Sequence, residues 1–338
     1  MSELRKDYME DYVTLIAPAA SRAPRGDRCP YCRGAEDLAP PSPMVLRRES
    51  EGLLKRFEES EGERVRDWDL KVVRYDAPLL MDEPQSPKEL TVPFRKADSG
   101  SGVHYVVVPT PEHGVKLSQL GSDRFALALL AIQEFGKELY QMKGVSYVAI
   151  YYEERADGDD HSLVHLLGLP EVPPAVEREY DAHRRYLKEL GTCPLCVIAE
   201  VERSGPRELL SNDEFMSIFP WAPMSPYEAW VLPRSHRTRF YRLTMPNISS
   251  LTEVLLPTMR AMSQVVRDYY MVFYTSSMKR SSTNIHWSVR LYGGADSFSG
   301  ISQGYGVRVV NETPEDRAKV MAKHARKALA DIIMEGRS

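Results

Sequence analysis

The sequence predicts an α+β fold built from two tandem units, each an antiparallel sheet with one long helix. Two observations carry that expectation. A Cys-x-x-Cys pair occurs twice, at Cys29/Cys32 and at Cys193/Cys196, and these four are all the cysteines of the 338-residue chain. Each pair is followed by a first histidine behind a proline, His113 and His236, and by a second, His165 and His286, at nearly equal intervals. The β-prone and helix-prone segments between them also recur in one order: strand, His, long helix, strand, loop, strand with His. Two thiolates with two imidazoles form the donor set of a closed tetrahedral zinc site. The expected metal sets are therefore Cys29, Cys32, His113 and His165 in the first unit, and Cys193, Cys196, His236 and His286 in the second. The competing reading, a redox dithiol, gives the matched histidines no role.

Taken in order, residues 33–63 are rich in Pro, Glu and Arg and read as irregular chain with one short helix, Ser50–Glu59. Trp68–Arg74 alternates as a strand does, and Val103–Val108 is a β-prone run stopped by Pro109 and Pro111. Asp123–Met142 has helical spacing with Ser122 or Asp123 as its cap. Strands follow at Val145–Tyr152 and His161–Leu169, then a charged linking helix, Ala175–Leu190. The second half reads as strands at Phe215–Phe219 and Ala229–Leu232, a helix at Ser249–Tyr269, and strands at Tyr270–Tyr274 and Ile285–Tyr292. A last helix opens at Pro314 and runs to Met334. The expected units are 1–174 and 175–338, packed as one pseudo-symmetric body.

Composition narrows the functional classes. The chain is 43% hydrophobic and 27% charged, as folded proteins are, and its net charge of −4 offers no general attraction to nucleic acid. No apolar run approaches the roughly 20 residues that cross a bilayer, and the charged start is unlike a signal peptide. These features, with paired cysteines better suited to metal than to disulfide, predict a cytoplasmic protein.

The residues also resemble a known family. Val13–Pro18, Cys29–Glu36, Pro109–His113 with Leu117–Leu120, and Ser162–His165 come in the order and spacing of galactose-1-phosphate uridylyltransferases. So do Glu177–Glu179, Phe219–Ala222 with Pro226–Glu228, Leu232–His236 and Gly300–Val307. That family is a two-copy branch of the histidine-triad superfamily, so the resemblance implies histidine-triad-like units, a homodimer, and a nucleotide or nucleotide-sugar ligand. It also implies transfer of UMP through a covalent uridylyl-histidine.

The family's nucleophile lies in a His-Pro-His-x-Gln segment: the first histidine holds zinc, the second attacks, and the glutamine binds phosphoryl oxygens. Aligned on His165 as the metal ligand, Leu167 falls at the attacking position and Leu169 at the glutamine. In the second half Ser288 follows His286 where the family has another histidine. Of the family's phosphate-binding arginines only Arg22 offers a partial substitute; Ser162 matches a phosphate-contacting serine, and Glu179 the second-site metal glutamate. The metal set is thus retained and the reactive set lost. The resemblance then implies a nucleotide- or sugar-phosphate-binding or regulatory protein without covalent uridylyl transfer. The alternative is a working nucleotidyltransferase or nucleotide-phosphate hydrolase with a relocated residue. His161, beside Asp159 and Asp160, is the candidate for that role. His104 reads as a packing residue, and His183 and His324 as surface.

Overall fold

The computed structural model describes residues 2–17, 28–49, 53–82, 96–156, 161–280, 285–295 and 298–336. In chain order the elements are β1 (Glu3–Lys6), β2 (Val13–Ile16), β3 (Met44–Arg48), β4 (Leu54–Phe57), β5 (Leu70–Arg74), β6 (Lys96–Ser99), β7 (Val103–Val108), α1 (Ser122–Leu139), β8 (Tyr147–Glu154) and β9 (Val164–Leu169). After α2 (Pro174–Leu190) and α3 (Pro194–Glu202) come β10 (Glu208–Ser211), β11 (Phe215–Ile218), β12 (Tyr227–Pro233), α4 (Met245–Val265), β13 (Tyr269–Tyr274), β14 (Ser288–Gly293), α5 (Ser299–Tyr305) and α6 (Pro314–Glu335).

The helices begin where local chemistry allows. Thr244 and Asn247 form a reciprocal capping box at the start of α4. Thr313 accepts the Asp316 amide before Pro314 opens α6, and α2 starts at Pro174 and stops at Gly191, whose φ of 68° is the left-handed cap that glycine favours. The predicted helix at Ser50–Glu59 is absent: the described part holds β4, a strand paired to β3 in register Val45↔Phe57 to Arg48↔Leu54. Leu, Lys, Arg and Glu are good helix formers, so here pairing to the open edge of β3 overrides local propensity. Helix α3, directly after Cys193, and the small sheet β2-β1-β6 had no counterpart in the sequence reading.

All remaining strands join one antiparallel sheet in the order β10-β11-β12-β14-β13-β8-β9-β7-β5-β3-β4. Around the central β13–β8 pair the order mirrors itself: β8, β9, β7 and β5 run outward on one side as β13, β14, β12 and β11 do on the other. Register Tyr269↔Glu154 to Val272↔Tyr151 makes that seam. Side chains alternate across the sheet. Val107, Val148, Ile150, Val164, Leu166, Val231, Val289 and Leu291 face α1, α4 and α6 in the main core. The opposite face carries two smaller clusters, one with Tyr31, Trp68, Val106, Val108 and Leu163, the other with Leu195, Met216, Ile218 and Leu232. Each of those clusters supports one Cys-x-x-Cys turn. Among the described residues no helix is long and apolar enough to cross a membrane.

Candidate metal centres and the histidine strand

The first Cys-x-x-Cys closes a tight turn, the Cys32 amide donating to the Cys29 carbonyl. Around it stand His113 and His161. Cys32 Sγ lies 3.3 Å from His113 Nδ1 and 3.7 Å from His161 Nδ1, and Cys29 Sγ is 3.8 Å from His161 Nδ1. In the second group Cys196 Sγ is 3.5 Å from His236 Nδ1 and 3.4 Å from His286 Nδ1, with Cys193 Sγ at 3.9 Å from His286 Nδ1. All donor atoms of each group fall within 4.8 Å of one another. A tetrahedron with zinc–sulfur and zinc–nitrogen bonds of ordinary length has sulfur–nitrogen edges of about 3.6 Å. The donors of both groups already stand at that spacing.

The electrostatics suit a cation as well. Burial, then the charge of Cys29, pushes the Cys32 thiol up to about 11. Burial and Cys193 push Cys196 up to about 12, while the His183 and His286 imidazoles beside Cys193 outweigh its burial and bring it down to about 4. In each pair the charge of one cysteine opposes ionisation of the other, and a divalent ion removes that opposition. His161 Nε2 donates to the Thr110 carbonyl at 2.7 Å, which leaves Nδ1 unprotonated toward the sulfurs. The second group lacks that support: His286 Nε2 is buried with no hydrogen-bond partner among the described residues.

His165 is not part of the first group. It sits on β9 between Val164 and Leu166, four residues beyond His161. Its Nδ1 is 2.9 Å from His104 Nε2, its ring stacks on Tyr151 at 4.7 Å and 5°, and Tyr75 meets it edge-on. The structure does not bring the expected ligand His165 to the cysteines; His161, just before the strand, stands there instead. The strand then carries His165 about 13 Å further along the sheet. His161, the candidate for a relocated catalytic role, has one ring nitrogen facing the thiols and the other on the Thr110 carbonyl. Moving the metal ligand to His161 shifts the family's segment by four residues. Leu163, buried against Tyr31, Val73 and Val108, replaces Leu167 at the attacking position, and His165 replaces Leu169 at the glutamine position.

Ser162 is buried and donates to the Tyr152 hydroxyl at 3.2 Å. Arg22, Asp159 and Asp160 lie outside the described residues. Glu179 is bound to Arg290 at 2.7 Å, and that guanidinium is sandwiched by Trp230 and Tyr274 at 4.2 and 4.1 Å. Glu179 thus serves an ion pair. His183, expected at the surface, is buried: its Nδ1 donates to the Glu179 carbonyl, and the His286 amide donates to its Nε2. His104 is buried as expected, yet pairs with His165. His324 is half-buried. The sequence held one signal for Arg290, which stands four residues after His286 as His165 stands four after His161. Lys71, buried over the Trp68 ring, is held below the ordinary lysine range by burial and lies close enough for the Cys29 and Cys32 charges to favour its ammonium.

The chain matches no model of a known protein family. It is 25% identical over 329 residues to the ADP-glucose phosphorylase of Arabidopsis thaliana, which covers 94% of the chain and 92% of that protein. A solved uridylyltransferase superposes with a TM-score of 0.80 at 23% identity, covering 96% of this chain and 99% of the other. The Arabidopsis ADP-glucose phosphorylase with bound ADP-glucose gives 0.72 at 24% identity, over 96% and 98%. Over almost its whole length the chain is thus similar in sequence to that phosphorylase and in fold to both solved structures.

Proposed function

We propose that this homologue of ADP-glucose phosphorylase binds a nucleotide sugar or nucleotide phosphate on a scaffold stapled by two structural zinc ions, and that it does not form a nucleotidyl-histidine. The observation that carries the reading is the register around His161: with that residue in the metal group, the attacking position is Leu163. A leucine has no lone pair to offer phosphorus. Losing a covalent nucleophile of this kind costs on the order of 10⁶ in rate. Zinc would be held by Cys29, Cys32, His113 and His161, and by Cys193, Cys196, His236 and His286. With four protein donors each, such sites hold the fold and leave no position for a reacting water.

The mirrored strand order supports an internal duplication with halves at 1–174 and 175–338. Homodimerisation and a cytoplasmic setting belong to the same reading, by analogy with the uridylyltransferases. An opening of about 990 Å³ lies where Val13 and Leu15, Leu169, and Lys279 with Arg280 converge. That is ample for a nucleotide sugar.

The test is thermal denaturation and intact-mass analysis of the zinc-loaded protein with ADP-glucose and UDP-glucose. Stabilisation without any mass increment is expected. Formation of UDP-galactose from UDP-glucose and galactose 1-phosphate through a mass-shifted intermediate would refute the reading. A second reading, a working nucleotidyltransferase or phosphorylase, is favoured by homology across 94% of the chain. It requires direct attack by the second substrate, because neither Leu163 nor the metal-facing His161 supplies a nucleophile.

A further inference from the structure

The loop before α1, the end of β8, the end of α4 and the later turns of α6 enclose an opening of about 1120 Å³. It lies on the helix-bearing face of the sheet and shares no lining residue with either metal group or with the opening beside Leu169. Its charge is opposite to that of the chain. The chain as a whole carries −4, yet Lys116, Arg155, Arg260, Arg267, Lys323 and Lys327 line this cleft against three carboxylates, Glu154, Asp331 and Glu335. Two of those carboxylates are already committed. Glu154 is buried and accepts from the hydroxyls of Ser118, Tyr152, Ser263 and Tyr269, and Glu335 is bound to Arg260 at 3.0 Å. The cations are matched less fully. Lys116 donates at 3.0 Å to the Arg155 carbonyl, a group without formal charge. Among the described residues Lys323 and Lys327 form no ion pair.

Helix α6 points the same way through its own sequence. Lys319, Lys323 and Lys327 recur at every fourth residue and form one row of like charge along the helix. Like-charge pairs at that spacing destabilise a helix, and a bound anion reverses the sign of their contribution. Walls of one charge also focus the field into the space between them. Lys116 and Arg155 reach the cleft from chain that precedes α2, and the other four cations from chain that follows it, so the two walls belong to different halves. An opening of this volume is too large for a single phosphate group to meet both walls. We propose that the cleft binds a small molecule carrying two or more phosphate groups, a di- or polyphosphate, which ties the two halves together. Its phosphoryl oxygens receive charge-assisted hydrogen bonds from the ammonium and guanidinium groups of the walls. The site is separate from the opening beside Leu169, and a ligand can occupy either one alone.

Calorimetry of the full-length zinc-loaded protein with inorganic pyrophosphate, in magnesium-free buffer of low ionic strength, tests the proposal. The parent should bind pyrophosphate and melt at a higher temperature in its presence. Lys323→Gln and Lys327→Gln should each weaken binding about fivefold, and the double variant about tenfold or more. Lys319→Gln removes the same charge one turn earlier, outside the cleft, and should stay within about twofold of the parent. Equal losses from Lys319→Gln and Lys323→Gln overturn the proposal, because the attraction then belongs to the helix in general. Unchanged affinity in the double variant overturns it too, since the pyrophosphate then sits elsewhere or on the zinc. A parent that binds no pyrophosphate overturns it outright.

Discussion

At the scale of single residues, His161 rather than the expected His165 stands beside Cys29, Cys32 and His113. Metal content decides between them: His161→Ala should lower bound zinc from about two equivalents to about one, whereas His165→Ala should keep both. Plasma mass spectrometry of dialysed protein measures this. His104 gives a pH prediction. Burial, then the neighbouring His165, lowers it to about 3. Unfolded, it titrates near the ordinary 6.5, so below that pH the unfolded chain binds the extra proton and stability falls as pH drops toward 3. At pH 5 the loss is about 2 kcal/mol relative to pH 7. Urea midpoints of parent and His104→Leu at both pH values should show a shallower acid slope in the variant, whatever its baseline. Seven of the eight residues expected to hold metal stand in the two Cys/His groups, and they were legible because Cys-x-x-Cys spacing encodes a local turn. The eighth was not: two histidines four residues apart share a face of an ideal strand, and only the strand's true start at Val164 separates them.

At the scale of elements, β9 is the ruler on which the site is laid out, and its far end is pinned by glycine. A Cβ on Gly168 would come within 2.6 Å of Val103 Cγ2 and 2.8 Å of Val145 Cγ2, and the Gly168 carbonyl stands where a Cβ on Gly102 would fall. Gly168→Ala should cost about 1–3 kcal/mol by prising β9 from β7, measured as a lowered thermal midpoint. Unchanged stability would mean that β9 and β7 can part at Gly168 without cost. Elements with strong periodicity, such as β7, α1 and α4, were readable within a few residues of their ends. The short β4 and helix α3 were not. Four residues of Leu-Lys-Arg-Phe carry no period, and α3 begins inside the Cys-Pro-Leu-Cys turn that had been read for its thiols alone.

At the scale of the whole molecule, the halves share a sheet and a core. Arg260 of α4 donates to the Ser118 and Leu120 carbonyls of the first half and pairs with Glu335 of α6 at 3.0 Å. Behind it Glu154 accepts hydrogen bonds from Ser118, Tyr152, Ser263 and Tyr269, drawn from both halves. Arg260→Ala should cost about 2 kcal/mol by orphaning partly buried carbonyls. Unfolding should remain a single transition by fluorescence and circular dichroism. Two separated transitions would show the halves to be independent units after all. The repeat was visible as matched intervals, but the joining of the halves edge to edge was not, since a strand's partner across 115 residues leaves no mark on local spacing.

The outer strand β4 bears on how this chain behaves at high concentration. A sheet that runs the length of a molecule must end somewhere, and an unpaired margin invites another chain to add to it. Here the margin is four residues long and carries Lys55 and Arg56; Arg56 is tied back to Glu138, and Arg47 lies 4.5 Å over the Phe57 ring. Cationic side chains fixed along so short a margin repel an identical copy approaching in register. The molecule thus has a built-in stop against fibre-like growth at that end, and self-association must use side-chain surfaces there.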